Sequence, residues 1–149
     1  IKAYRAADTA ADALKAARTG SAAVEQTAKA GSKAAVGGAE TAAKNVQISK
    51  AKYGEAANHI ADAQKAGHPD VLTISREGAP ANRKASTGGM DRVPGKQLDE
   101  YPPAMFSEGG KGASVRAINP KDNMAAGACI GNACRGLPNG AKIEIKVTE

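Results

Sequence analysis

The clearest pattern of apolar and polar positions lies near the end of the chain. From Lys142 to Val147, β-branched apolar residues alternate strictly with charged residues. Successive side chains of a strand point to opposite faces, so this alternation predicts a strand with one exposed face. The turn signal Leu137–Gly140 comes just before it. Further upstream, the apolar run Val71–Ser75 predicts a buried strand, and residues 113–118 predict a short one.

Two other segments have the composition of helices. Residues 55–65 are rich in Ala and in long polar side chains and stop before Gly67, which predicts a helix with a glycine after its end. A second Ala-rich helix is predicted over residues 120–134, with Asp122 as the expected N-cap. The stretch 78–95 is rich in Gly, Pro and Asn, and we predict no helix or strand within it.

Residues 1–46 differ in composition from the rest of the chain. Pairs of Ala recur there among Gly, Thr, Ser and Lys, which gives high helix propensity but little to bury. We expect a first amphipathic helix that ends near Gly20, in an Ala-rich leader that is partly helical or disordered. The domain itself is then expected at residues 47–149. Because the chain starts with Ile1 and shows no secretory signal, we expect a released fragment.

Composition and charge bound the function only loosely. The 149 residues allow one small domain with an appendage, and no apolar window is long enough to cross a membrane. The net charge of +6 favours an anionic partner such as nucleic acid. From residue 47 onward, however, 14 Lys and Arg stand against 11 Asp and Glu. Cys129 and Cys134 are expected to be free thiols, and they match no zinc-ligand spacing together with the two histidines.

The most informative residues for chemistry are the adjacent acids Asp99 and Glu100. In a strand they would point to opposite faces, so that a bend could turn one of them toward a metal ion. About twenty residues later, Asn123 opens the second predicted helix, and Asn132 follows within it. A metal-dependent phosphodiester hydrolase needs oxygen ligands, a base for water and a cation near the phosphate. By themselves, two acids before Tyr101 are usually a solvated turn.

From about Tyr53 onward, the order and spacing of several blocks resemble the NucA/NucB type of small bacterial deoxyribonucleases. The Asp-Glu-aromatic-Pro and Glu-Gly-Gly-Lys-Gly-Ala blocks are the most specific of them. The blocks are His59-Ile60, Ala66-Gly67-His68-Pro69, Gly78-Ala79, Asn82-Arg83-Lys84, Asp99 to Met105, Glu108 to Arg116, Asp122-Asn123, Gly131-Asn132 and Gly140. The resemblance implies an α+β fold of the small ββα-metal nuclease class, with a short antiparallel sheet and helices.

The resemblance also implies residue roles. Asp99 is expected to be the general base and Glu100 a ligand to the metal or to water, with the reverse assignment open. Asn123 resembles the ligand that the helix supplies to the cation. Asn132 is the weaker candidate ligand, because nine residues on a straight helix separate it from Asn123. Oxygen ligands favour Mg²⁺ or Mn²⁺.

The chain departs from the family pattern at three positions near the candidate site. Gln97 and Leu98 stand where the family has an acid and a basic residue, and Met124 stands where it has an arginine. Four other cations are therefore expected to contact nucleic acid: Arg83, Lys84, Lys111 and Arg116. His59 and His68 are interpreted as structural. No Gly-Lys-Ser/Thr follows Gly112, so no nucleotide cofactor is expected.

The resemblance implies a metal-dependent DNase with little sequence specificity. A nuclease domain behind an Ala-rich leader without a secretory signal suggests the C-terminal toxin of an Rhs-type polymorphic effector. Such a toxin would be delivered into the cytoplasm of a target cell and neutralised by a cognate immunity protein. Two alternatives remain open. The first is an RNase on the same fold, since a metal-activated water does not distinguish DNA from RNA. The second is an inactive DNA-binding module in which Gln97, Leu98 and Met124 mark a lost site.

Overall fold

The computed structural model describes residues 42–149, so that the predicted leader, with its first helix ending near Gly20, lies outside the described residues except for residues 42–46. The described residues form helices together with sheets that contain antiparallel pairs, which confirms the predicted α+β class. In chain order they are β1 (Lys44–Ser49), α1 (Lys50–Lys65), β2 (Val71–Thr73), a 3₁₀ turn (Arg76–Gly78), α2 (Ala79–Thr87), β3 (Gln97–Tyr101), β4 (Ser114–Ile118), α3 (Pro120–Cys134) and β5 (Lys142–Thr148).

A three-stranded mixed sheet forms one half of the fold, in the order β1, β5, β2. β5 is the central strand, parallel to β1 and antiparallel to β2. Its alternation is as predicted, because Ile143 and Ile145 are fully buried on one face. β1 was not predicted, although Val46 and Ile48 alternate with exposed residues in the same way. This strand spans the boundary expected between residues 46 and 47.

A ββα unit forms the other half. β3 and β4 pair as an antiparallel hairpin, with Asp99 opposite Arg116, and α3 follows β4 after a single residue, Asn119. α3 packs against α1, so that both helices cover the buried face of the mixed sheet. The hairpin followed at once by a helix is the arrangement that the resemblance implied.

Two helix details differ from the sequence-based expectations. α2 lies inside the stretch 78–95, where no element was predicted, because Pro80 is in the first turn and a helix tolerates proline there. The N-cap of α3 is Asn119, whose side chain accepts a hydrogen bond from the Lys121 backbone N–H at 2.9 Å. The prediction of Asp122 as N-cap was therefore wrong.

Asp122 instead supports the start of another helix. α1 breaks at Gly54, which has a φ of +40°, and the next residue, Glu55, donates its backbone N–H to Asp122 Oδ2 at 2.9 Å. That N–H would otherwise lack a partner in the first turn after the break. A Cβ at Gly54 would lie 2.4 Å from the same carboxylate oxygen. The contact ties α1 to α3 at the end where Asn123 lies.

The hydrophobic core lies between the mixed sheet, α1 and α3. Its largest fully buried side chains include Tyr101 and Phe106, which fix both ends of the segment after β3. Cys129 and Cys134 are free, as predicted. Within residues 42–149, no helix has the length and apolar composition needed to cross a membrane.

Candidate active site

Asp99 is held from the buried face of α1. The carboxylate oxygen Oδ2 of Asp99 lies 2.7 Å from His59 Nδ1, and His59 Nε2 lies 2.9 Å from the Ser114 hydroxyl. An ionised carboxylate only accepts hydrogen bonds, so the Nδ1–H of His59 donates to Asp99. The His59 side chain is fully buried, whereas that of Asp99 is 18% exposed. The bond therefore orients a carboxylate that solvent still reaches.

Glu100 is held from the other side of β3, by α2. Its Oε2 accepts a hydrogen bond from the Ser86 hydroxyl, and its Oε1 lies 3.6 Å from Arg83 Nε. The Glu100 side chain is 11% exposed, but that of Arg83 is 69% exposed. The largely buried acid thus positions a guanidinium group whose outer edge remains open to an anion.

Asn123 lies in the first turn of α3 and faces β3. Its Nδ2 donates to Gln97 Oε1 at 2.9 Å. Since Gln97 and Asp99 are two residues apart in a strand, they share one face. The bond fixes the side-chain amide and leaves the Asn123 Oδ1 atom, the potential metal ligand, out of that contact. Gln97, a departure from the family pattern, thereby has a positioning role in the structure.

The candidate residues line one cavity of about 360 Å³ between β3, α1 and α3. Its polar lining consists of Arg83, Asp99, Glu100 and Asn123 together with Tyr101. Apolar residues of the two helices, such as Ile60 and Ile130, form the remaining wall. Two acids, an amide and a cation therefore belong to the lining of one space large enough for a phosphodiester group and its water.

The carboxyl end of β3 is fixed by Tyr101. The buried hydroxyl group donates to the Pro69 carbonyl at 2.8 Å and accepts from Gln64 Nε2 at 2.9 Å. Burial raises the pKa of Tyr101 to about 12, so the phenol stays protonated and keeps donating. The two carboxylates that precede it are attached to a rigid strand end.

Other residues predicted to act at the site lie away from this cavity. Asn132 is exposed, and its Oδ1 accepts a hydrogen bond from Arg135 at 2.8 Å. Arg116 pairs with Asp62 of α1 at 2.9 Å. Lys84 and Lys111 are exposed, and neither lines the cavity. Of the four predicted nucleic-acid contacts, the structure brings only Arg83 to the cavity.

The donor set is compatible with a hard divalent cation. Within residues 42–149, no three His, Cys, Asp or Glu side chains form a cluster that could enclose a metal ion. Mg²⁺, however, is commonly held by one or two carboxylates, with waters and substrate phosphate as its other ligands. Asp99, Glu100 and Asn123, which all line the cavity, carry oxygens of this kind.

Sequence reasoning missed the residues that orient these groups. His59 was interpreted as structural, and no role was given to Ser86, Ser114 or Gln97. His59, Ser86 and Gln97 each contact a candidate residue that lies at least 14 positions away in the chain. Ser114 acts one step further away, because it contacts His59. Local spacing gives no signal for such contacts. Among these residues, only His59 could have been singled out from the sequence, because it belongs to a block shared with the family.

Comparison with known proteins identifies the family. A family model described as "Deoxyribonuclease NucA/NucB" matches residues 51–146, a range that includes all of the candidate site residues. A "DNA-entry nuclease" of Bacillus subtilis (strain 168) is 44% identical over 92 residues, which are 62% of this chain and 63% of that protein. The chain thus spans less than two thirds of this relative's length. Since the family model matches more than half of the chain, the chain belongs to the deoxyribonuclease NucA/NucB family.

Proposed function

We propose that this chain hydrolyses DNA phosphodiester bonds as a metal-dependent endonuclease with little sequence specificity. The observation that carries the proposal is the meeting of Asp99, Glu100, Asn123 and Arg83 at one cavity. Membership of a deoxyribonuclease family and likeness to a DNA-entry nuclease support DNA as the substrate. Backbone phosphate is the part of DNA that suits an arginine and oxygen atoms able to hold a cation.

Asp99 is the proposed general base. His59 occupies Oδ2 of its carboxylate, which leaves Oδ1 for a water molecule. A carboxylate held in one orientation can take the proton of that water as its oxygen attacks phosphorus. The hydrogen bond from His59 keeps the carboxylate in place, so that little reorganisation is needed when the proton moves.

Arg83 is the proposed group that stabilises negative charge on the phosphate. Five N–H donors in a planar fork suit phosphate oxygens, and the exposed edge of Arg83 supplies several of them. The Glu100 carboxylate lies beside the Nε edge of the Arg83 guanidinium group and holds that edge in place. Arg83 thereby replaces the arginine that the family has after Asp122-Asn123, where this chain has the exposed Met124.

Glu100 and Asn123 Oδ1 are the proposed protein ligands of Mg²⁺ or Mn²⁺, with Asp99 as the alternative carboxylate. A bound divalent cation would supply positive charge to the phosphate oxygens and lower the pKa of a bound water. Titration with Mn²⁺, followed by electron paramagnetic resonance, separates the two assignments. Glu100→Gln should weaken Mn²⁺ binding more than Asp99→Asn does if Glu100 is the ligand.

The direct test is digestion of plasmid DNA with Mg²⁺, with EDTA, and by the double variant Asp99→Asn/Glu100→Gln. We expect cleavage that needs the metal and that the double variant lacks. The matched control, Glu77→Gln/Asp91→Asn, makes the same chemical change at two exposed acids outside the cavity and should cleave normally. Intact plasmid with a gel shift would favour the binding module, and cleavage of RNA alone would favour the RNase.

The proposed setting is an antibacterial effector whose toxic domain acts in the cytoplasm of the target cell, with a cognate immunity protein as partner. The Ala-rich composition of residues 1–46, ahead of the nuclease family match, supports a multidomain context of this kind. Expression of the chain in a bacterial cytoplasm should stop growth and degrade the chromosome, whereas expression of Asp99→Asn should not. Growth that continues with intact chromosomal DNA would contradict the effector proposal.

A further inference from the structure

A second cavity, of about 570 Å³, lies beside the first one at the other end of α3. Met105 lines both cavities. On α3, Ile130 lines the first cavity and the adjacent Gly131 lines the second. The two spaces are therefore neighbours along one helix.

The second cavity is lined by two arginines, Arg76 and Arg135. Neither belongs to any of the ion pairs among residues 42–149, where Lys50, Lys96 and Arg116, for example, each contact a carboxylate. Both arginines are exposed. Their positive charges are therefore available to an anion from outside.

Neutral acceptors hold both guanidinium groups in place. Arg76 Nη1 donates to Asn139 Oδ1 at 3.1 Å and Nη2 donates to the Cys134 carbonyl at 2.8 Å. Arg135 Nη2 donates to Asn132 Oδ1 at 2.8 Å. A guanidinium group carries five N–H donors, so donors remain on each one. Asn132, expected to be a metal ligand, instead orients an arginine.

Two glycines of α3 lie along the side of the helix that joins the two cavities. Gly127 lines the first cavity and Gly131 the second, and they lie one helical turn apart on the same face. A Cβ at either position would meet nothing within 4 Å. From Asn123 to Arg135 the helix rises about 18 Å, enough for several nucleotides of a duplex strand at about 3.4 Å each.

From these observations we infer that Arg76 and Arg135 form a phosphate subsite for the DNA strand on one side of the bond that is cut. The inference deepens the proposed nuclease function and rests on it. The bound group is a backbone phosphate several nucleotides from the scissile one. Such a contact contributes to affinity and register without reading the base sequence.

The test measures binding and cleavage separately. Kd for a short fluorescent duplex is measured by anisotropy in EDTA, on the Asp99→Asn background, over a range of salt concentrations. Adding Arg135→Gln should raise Kd about three- to fivefold and lower the slope of log Kd against log salt by about 0.9. Arg135→Lys, which keeps the charge, should keep the slope. The control Arg92→Gln removes an exposed arginine that lines neither cavity and should leave both quantities unchanged.

Cleavage distinguishes failure of the subsite from failure of the enzyme. In the otherwise native chain, Arg135→Gln should raise KM for DNA with kcat retained. It should not change hydrolysis of bis(p-nitrophenyl) phosphate, a single diester without neighbouring phosphates. If Arg135→Gln behaves like Arg92→Gln while the native chain cleaves DNA, the subsite is refuted alone. A native chain that cleaves neither substrate would refute the nuclease function itself.

Discussion

The imidazole of His59 and the carboxylate of Asp99 form a 2.7 Å hydrogen bond between the core and the cavity. His59 has no exposed surface, and its other ring nitrogen is 2.9 Å from the Ser114 hydroxyl. The strand residue proposed as base is thus fixed by a helix residue 40 positions earlier in the chain. His59 does not touch the substrate space, so its proposed role is to position Asp99.

Two substitutions of His59 separate positioning from packing. His59→Asn keeps an N–H near the place of Nδ1, and His59→Gln keeps a polar group near the place of Nε2. We expect His59→Gln to lower kcat about 10- to 100-fold, the range seen when the orienting partner of an active-site ligand is lost. His59→Asn should retain most of kcat. DNA cleavage rates, compared with thermal unfolding of both variants, provide the measurement.

The control for this pair is Ser114→Ala, which removes only the partner of His59 Nε2 and should reduce kcat less than His59→Gln does. A purely structural His59 would give a different result. The two substitutions would then lower stability by similar amounts and leave kcat per folded molecule unchanged. That outcome would contradict the positioning role.

Arg83 should affect catalysis more than binding. Arg83→Gln removes the guanidinium group held 3.6 Å from Glu100 and open to the cavity. Loss of one donor to a developing negative charge typically costs about 100- to 1,000-fold in kcat, and we expect a fall in that range. Arg83→Lys should recover part of it, because the charge returns without the fork. Steady-state kinetics with duplex DNA give kcat and KM separately.

A useful comparison for Arg83 is Lys84, its exposed neighbour in α2. Lys84→Gln should change KM and its salt dependence but not kcat, as expected for a contact with backbone phosphate. If Arg83→Gln changed only KM as well, Arg83 would be a binding residue. The stabilising charge would then have to come from elsewhere.

The sequence was sufficient to predict elements whose pattern is local. The alternation at 142–147 predicted β5, and the α+β class with its ββα order is confirmed. β1 was missed because its two buried residues, Val46 and Ile48, directly follow an Ala-rich stretch. They form a strand through pairing with β5, which lies about 100 residues later in the chain. α2 was missed because glycines flank it and Pro80 occupies its first turn.

For the candidate site, the sequence indicated candidate residues but not the residues that orient them. Adjacent acids before Tyr101 pointed to Asp99 and Glu100, and both line the cavity together with Asn123. What orients them depends on tertiary contacts with α1 and α2, which spacing does not encode. The nine-residue separation of Asn123 and Asn132 predicted that one straight helix cannot direct both at one point. In the structure Asn132 does not line the cavity.

Stability should fall in mildly acidic solution because of His68. Burial, with a smaller contribution from His59, lowers the pKa of His68 in the folded chain. The unfolded chain therefore binds a proton first as the pH falls below about 6.5, which favours unfolding. The free energy of unfolding in urea should decrease from about pH 7.5 to about pH 5, a window above the titration of ordinary carboxyl groups. In His68→Gln the decrease should be smaller, and an equal decrease would assign the effect to other groups.

Gly54 of α1 should be sensitive to substitution, with a loss of stability. Its φ of +40° is unfavourable for a residue with a Cβ, and that Cβ would lie 2.4 Å from Asp122 Oδ2. Gly54→Ala must therefore strain the backbone or break the hydrogen bond that the Glu55 N–H donates to Asp122. We expect the free energy of unfolding to fall by about 1–3 kcal/mol. Gly127→Ala is the matched control, since a Cβ there meets open space in a helix, and it should raise the same quantity by about 0.5–1 kcal/mol. The urea midpoints of the two variants should shift in opposite directions. An unchanged free energy of unfolding in Gly54→Ala would show that the part of α1 after the break does not depend on this contact.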